Sequence, residues 1–189
     1  VDEPMKKHIS FKVGGPADFL VKPKTEEELR NVVEFAKKEN VPFIVIGNGS
    51  NLLVKDGGIR GIVIELSDNF NNYEIDGNII KAQSGALLAI IGRNAMKNSL
   101  TGFEFAAGIP GTLGGALAMN AGAYGGEMKQ VVKTVRLMDR DGNIFELSND
   151  KESNMEIKII AELTEEAKSI DSKLTSLYES DPEIQALYR

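Results

Sequence analysis

The 189-residue chain has no cysteine and a single histidine, His8. Without cysteine there is no disulfide, no thiol nucleophile and no cysteine-held zinc or iron–sulfur site, and one imidazole excludes a multi-histidine metal centre. A surplus of positive charge is missing too: 28 acidic residues stand against 22 lysines and arginines, a formal net charge of -6. A broad nucleic-acid or anionic-membrane surface is therefore disfavoured, and any phosphate has to be held by local geometry. No apolar run reaches the roughly 18 residues of a membrane span, and "VDEPMKKHIS" at the start lacks the apolar stretch of a secretory signal. Low-complexity linkers and repeats are also absent. What is present is a globular, soluble chain with the cytoplasm as its default setting, and 42% hydrophobic residues supply a real core.

The pattern along the chain reads first as α/β. "ADFLVKP" is a short strand closed by Pro23. Thr25 then precedes "EEELRNVVEFAKKEN", in which Leu29, Val32, Val33 and Ala36 recur at helical spacing, with Glu28 three positions after the Thr25 N-cap. Pro42 leads into a second strand, "FIVIG", so the three elements predict a βαβ unit with parallel strands. Beyond it lie strand-like "GIVIEL", a hairpin in "YEIDGNIIKAQSG" turning at Asp76-Gly77, and a helical "LLAIIGRNAMKNS". "VVKTVRLMDRDGNIFELS" then forms a second hairpin around Asp141-Gly142. The fold expected is α+β and two-lobed. Residues 1–67 form a small βαβ lobe, 68–150 a larger, mainly antiparallel lobe with helices, and 151–189 a helical tail.

Two glycine-rich segments interrupt this pattern. In "VPFIVIGNGSNLLV" an apolar strand runs straight into Gly47, Asn48, Gly49, Ser50 and Asn51. Glycine permits the backbone conformations from which successive N–H groups form an anion nest, and Ser50 and Asn51 add side-chain donors. Neither the G-x-G-x-x-G of a Rossmann turn nor the G-K-[ST] of a P-loop fits, because "LLVKDGGIRGIVIEL" downstream reads as strand rather than helix. A tight ligand-free turn is the alternative. In "GFEFAAGIPGTLGGALAMNAGAYGGE" seven glycines between 108 and 126 leave so little bulk that another group must approach the backbone. That group is either a bulky ligand or a neighbouring sheet. Thr112 caps a short helix starting near Leu113, whose N–H groups suit a phosphate. Two phosphate-friendly loops together suggest a dinucleotide-sized ligand.

"SFKVGGPADFLV", "GNGSNLLV", the long glycine segment and "RLMDRDGNIFELS" occur in one order over about residues 4–150. Together they resemble the FAD-binding part of the UDP-N-acetylenolpyruvoylglucosamine reductase family. The resemblance implies FAD between two lobes. It assigns the pyrophosphate to Gly47, Asn48, Gly49, Ser50 and Asn51. It assigns the rest of the flavin nucleotide to Gly108, Ile109, Pro110, Gly111, Thr112, Gly114, Gly115, Asn120, Gly122, Ala123 and Tyr124. It further implies NADPH as hydride donor and a UDP-sugar enolpyruvyl ether as substrate, reduced to UDP-N-acetylmuramate.

The arginine of a "GYR"-type segment, the proton-donating serine and the glutamate that act in the family have no match here, so no catalytic residue is assigned, and no metal ligand either. After "FELS" the sequence departs from the family's pattern. Ile160, Leu163, Ala167, Ile170, Leu174 and Leu177 recur as an amphipathic helix, and Asp181-Pro182 reads as the start of another. That tail either covers the core or binds a protein partner, and the UDP-sugar is a partner only where a substrate domain is supplied. The competing reading of the whole chain is a flavin- or nucleotide-binding module without turnover. His8, between lysines, reads as solvated, as do Lys6-Lys7 and Lys37-Lys38.

Overall fold

The computed structural model describes residues 1–149 and the strand at residues 156–160, and its fold is α+β. An N-terminal arm contributes β1 (Glu3–Pro4) and a short 3-10 turn (Met5–Lys7). It is followed by β2 (Pro16–Val21), α1 (Glu26–Lys38), β3 (Phe43–Ile46) and β4 (Ile59–Glu65). These strands form a sheet in the order β1-β2-β4-β3. The βαβ unit is present, but its two strands do not pair with each other: β4 inserts between them, parallel to both. Residues 52–55 are irregular rather than strand, since the carbonyl of Lys55 is spent on the N–H groups of Gly15 and Gly58, each at 2.9 Å.

Helix α1 forms for the reasons its sequence suggests. Thr25 Oγ1 accepts from the Glu28 N–H at 3.1 Å, a cap whose loss typically costs about 1 kcal/mol. Glu26, Glu27 and Glu28 lie in the first turn and Lys37 and Lys38 in the last, each matching the sign of the helix end. Leu29, Val33 and Ala36 are buried against Ile62 and Ile64 of β4 and Leu66 just past it.

The second sheet contains β5 (Tyr73–Asp76), β6 (Ile79–Gln83), β9 (Val132–Met138), β10 (Ile144–Ser148) and β11 (Glu156–Ile160), in the order β10-β9-β11-β6-β5. Between β6 and β9 the chain builds α2 (Leu88–Lys97), α3 (Leu113–Ala118) and a small hairpin of β7 (Gly122–Ala123) and β8 (Gly126–Glu127). The first hairpin turns at Gly77-Asn78, one residue later than its sequence suggests: Asp76 pairs with Ile79, and Gly77 takes the left-handed conformation of a two-residue turn. The second closes over residues 139–143, as expected, with Gly142 left-handed.

Strand β11 corrects the expected helical tail. Residues 156–160 lie at the centre of the sheet, parallel to β6 on one side and β9 on the other. The run "EIKII" is rich in β-branched isoleucine, which favours strand over helix, and the helical spacing read from Ile160 onward overlooked it. The remaining helical expectation, for 161–189 and Asp181-Pro182, lies outside the described residues.

Three apolar clusters position the site. One, including Ile80, Leu88, Ile91, Phe103, Leu113 and Met128, fills the second sheet's layer. A second joins α1 to Met138 and therefore spans the two sheets. The third, with Met5, Ile9, Ile46, Val54 and Val63, lies beneath the N-terminal arm. The first glycine turn leaves from the third cluster at Ile46, and the second segment is anchored in the first by Phe103, Phe105, Ala106 and Leu113.

Candidate cofactor site

Strand β3 ends with buried Ile46, and the Leu66 N–H donates to the Ile46 carbonyl at 3.0 Å as the last rung beside it. Past that rung the bonding changes. The N–H groups of Gly47, Asn48, Gly49, Ser50 and Asn51 have no acceptor among the described residues. Gly49 is buried with φ 59°, a left-handed residue inside the turn, and a β-carbon there would sit 2.3 Å from the His8 carbonyl oxygen. This local geometry fits the nest expected from sequence: a run of backbone donors, a left-handed glycine and no side chain in the way.

The second glycine segment forms the facing wall. A β-carbon on Gly47 would lie 2.1 Å from Thr112 Oγ1, and one on Gly111 would lie 3.5 Å from Ser50 Oγ. The two segments, about sixty residues apart in sequence, therefore touch. Thr112, 2% exposed, caps α3 through the Gly115 N–H at 3.5 Å. The expected role of the α3 N-terminus as a second phosphate site needs correction. The Leu113 N–H donates to the Ala86 carbonyl and the Gly114 N–H to the Ser84 carbonyl, both at 2.8 Å. Those donors bind α3 to the loop after β6, so the contribution of this segment near the turn is its shape.

The other residues assigned by resemblance are spread along the segment. Gly108 and Pro110 are exposed, while Ile109 packs partly on the core and donates its N–H to the Ala106 carbonyl at 3.1 Å. Gly115 is exposed on α3. Asn120 has both ends of its amide engaged within the protein, giving 2.8 Å to Glu127 and accepting at 3.0 Å from the Lys129 N–H. Gly122 and Ala123 pair with Glu127 and Gly126. Tyr124, at the hairpin tip with φ 53°, is 99% exposed.

His8 is not solvated. Its Nδ1 lies 2.7 Å from Glu65 and its Nε2 3.1 Å from Glu3, with the ring largely covered. Glu65, buried at the end of β4, also meets Lys22 at 3.3 Å and the Ser67 hydroxyl at 3.0 Å. The hydrogen bond from His8, then that from Lys7, holds the Glu3 carboxyl below its usual range. Burial would lower Lys22, but its bonds to Asp68 and Glu65 raise it on balance. Sequence offered one unread signal for this cluster: a carboxylate at position 65 closing the apolar run "GIVIEL" needs a buried partner. Among the described residues no group of three or more metal-ligating side chains is placed to hold an ion, and no helix is long and apolar enough to cross a membrane.

A family model described as FAD binding domain matches residues 17–148. The chain belongs to that FAD-binding family. Among curated relatives, the UDP-N-acetylenolpyruvoylglucosamine reductase of Clostridioides difficile (strain 630) is 70% identical over 151 residues, covering 80% of this chain and 50% of the relative. The protein of the same name from Alkaliphilus metalliredigens (strain QYMF) is 55% identical over 148 residues, 78% of this chain and 49% of the relative. The chain thus spans about half the length of the curated relatives it matches. The crystal structure of UDP-N-acetylenolpyruvylglucosamine reductase from Thermus caldophilus superposes with a TM-score of 0.66 at 28% identity, over 94% of this chain and 68% of that one. Cholesterol oxidase from Brevibacterium sterolicum, with a TM-score of 0.56 at 17% identity over 70% of this chain and 30% of that one, shares the fold alone. The chain is similar to about half of each of these curated reductases, and FAD is the cofactor of its family.

Proposed function

We propose that residues 47–51 cradle the FAD pyrophosphate and that residues 108–124 line the remainder of the flavin nucleotide. We further propose that the whole protein uses NADPH to reduce UDP-N-acetylglucosamine enolpyruvate to UDP-N-acetylmuramate. The observation that carries the reading is the contact of the donor-bearing turn at Gly47 with Thr112 from the second segment. Five consecutive backbone N–H groups without an acceptor among the described residues are costly unless water or a ligand takes them, and a diphosphate is a matched acceptor. Once bound, the flavin supplies hydride chemistry. The chain's own part is to hold the diphosphate at the turn, to exclude bulk from the cleft by the glycines of the second segment, and to keep the two lobes in register.

Within this reading residues 1–67 and 68–150 are the two cofactor-binding lobes. The UDP-sugar is met by a substrate domain beyond the residues matched to the family, and the nucleotide cofactors fit a cytoplasmic setting. Titration of the purified chain with FAD and with FMN, followed by flavin fluorescence, tests the cofactor assignment. FAD is expected to bind at least roughly tenfold more tightly, because only FAD carries the second phosphate and the adenosine. Equal affinities would refute a dinucleotide site. NADPH oxidation measured with and without the enolpyruvyl substrate tests the activity. In the whole protein a substrate-dependent rate is expected, and its absence would refute the reductase reading.

A further inference from the structure

The back of the cofactor turn is closed by the N-terminal arm. The Ser10 N–H donates to the Gly49 carbonyl at 3.1 Å, and the His8 carbonyl and Ile9 Cα press on Gly49 where a side chain would otherwise stand. The residue that presses on the turn is the one whose imidazole ties the arm down. We propose that His8, by bridging Glu3 and Glu65, is a positioning residue for the pyrophosphate turn and makes FAD affinity depend on its protonation. The inference rests on the reading of residues 47–51 as the pyrophosphate cradle.

The chemistry follows from donor counting. Both ring nitrogens of His8 face carboxylates, Glu3 on the arm and Glu65 on β4. An imidazole with two protons donates to both, whereas one with a single proton donates to one and turns a lone pair toward the other. Other groups donate to the same carboxylates. Lys7 lies 3.1 Å from Glu3, Lys22 lies 3.3 Å from Glu65 and 2.8 Å from Asp68, and the Ser67 hydroxyl gives to the second oxygen of Glu65. Glu3, held below its usual range, stays ionised in mildly acidic solution. Deprotonation of His8 therefore removes one of its two hydrogen bonds, that to Glu3 within the arm or that to Glu65 on β4. The arm is also held by the Asp2 N–H on the Asp18 carbonyl at 3.0 Å, the Met5 N–H on the Gly15 carbonyl at 3.2 Å, the Glu3–Ala17 and Pro4–Pro16 pairing, and buried Met5 and Ile9, which keep it folded on the sheet. What loosens is the fit of His8 and Ser10 against Gly49.

The test measures FAD affinity of the full chain from about pH 5.5 to about pH 8.5, which spans the range in which histidines lose a proton, alongside the exchange rate of the Ser10 amide in the FAD-free protein. We expect wild-type affinity to weaken roughly tenfold across that range, the size of one charge-assisted hydrogen bond, with Ser10 exchange accelerating in parallel. His8→Gln, whose neutral amide keeps the same donors and acceptor at every pH, should bind with the weaker affinity throughout and show no slope. A flat wild-type profile overturns the inference. So does a His8→Gln variant that melts at lower temperature yet keeps the wild-type profile, because its role is then structural only. A wild-type chain that binds no FAD overturns the cradle reading and this inference with it, whereas binding with a flat profile overturns this inference alone.

Discussion

The two glycine-rich segments look alike in composition and differ in how their backbones are used. In residues 47–51 the N–H groups have no acceptor among the described residues, and the glycines let other parts of the chain press close: Thr112 onto Gly47, His8 onto Gly49. In the longer segment the backbone is largely spent on the protein itself. Leu113 and Gly114 donate to the loop after β6, Asn120 braces the hairpin, and a β-carbon on Gly126 would meet the Phe105 ring at 2.6 Å. Glycine content therefore marks close approach in both places. Only the fate of the N–H groups separates a place open to an anion from a place that packs.

Substitutions should separate the two roles. The largest effect is expected for Gly47→Val, whose side chain would collide with Thr112 and push the two segments apart. We expect FAD affinity to fall by at least about 100-fold, equivalent to roughly 3 kcal/mol, while Lys55→Ala, beyond the turn, stays within about threefold in a flavin-fluorescence titration. A middle-sized effect of the opposite kind is expected at Gly126→Ala. Overpacking against Phe105 should cost about 1 to 3 kcal/mol in denaturant unfolding, with FAD affinity of the folded protein nearly unchanged. A large loss of affinity there would show that the hairpin also shapes the ligand site.

The smallest effect concerns what keeps the two segments facing each other. Arg136 of β9 forms a two-pronged ion pair with Glu26 of α1, one prong at 2.8 Å, joining the two sheets. The hydrogen bonds from Arg136 are the main cause of the lowered Glu26 pKa, against a smaller opposing effect of burial. Because the folded-state value lies below the unfolded one, this stabilisation is complete above the ordinary value of 4.5 and fades as the pH falls through the folded value. Arg136→Ala should lower stability at neutral pH by no more than about 1 kcal/mol, since the pair is partly exposed. The difference from wild type should shrink in melts run at acid pH. An undiminished difference in acid would mean that Arg136 acts through packing.

Local pattern reading succeeded where one segment determines its own conformation. Helix α1 carries its charge bias and its apolar face within its own thirteen residues, with its cap, Thr25, directly before them, and β3 ends at Ile46 where its sequence turns to glycine. It failed where the decisive partner is distant. The insertion of β4 between β2 and β3 rests on pairing with both, and β11 becomes a strand in a slot between β6 and β9, elements separated from it in sequence. His8 looked solvated beside Lys6 and Lys7 because its partner Glu65 lies 57 positions away. The α3 N-terminus looked available to a phosphate because the carbonyls of Ser84 and Ala86 that consume its donors belong to another loop. Site residues between 108 and 124 came from resemblance, and their placement differs along the segment: Gly111 and Thr112 stand at the turn, whereas Tyr124 projects from a hairpin tip.

The central claim is that backbone donors of residues 47–51 take the cofactor's phosphates, and amide-resolved NMR during an FAD titration tests it most directly. The account predicts saturable shifts for the Gly47, Asn48, Gly49, Ser50 and Asn51 amides, with the Leu113 and Gly114 amides moving little because they already donate within the protein. Saturable shifts confined to Leu113, Gly114 and their neighbours, with the 47–51 amides unmoved, would contradict it.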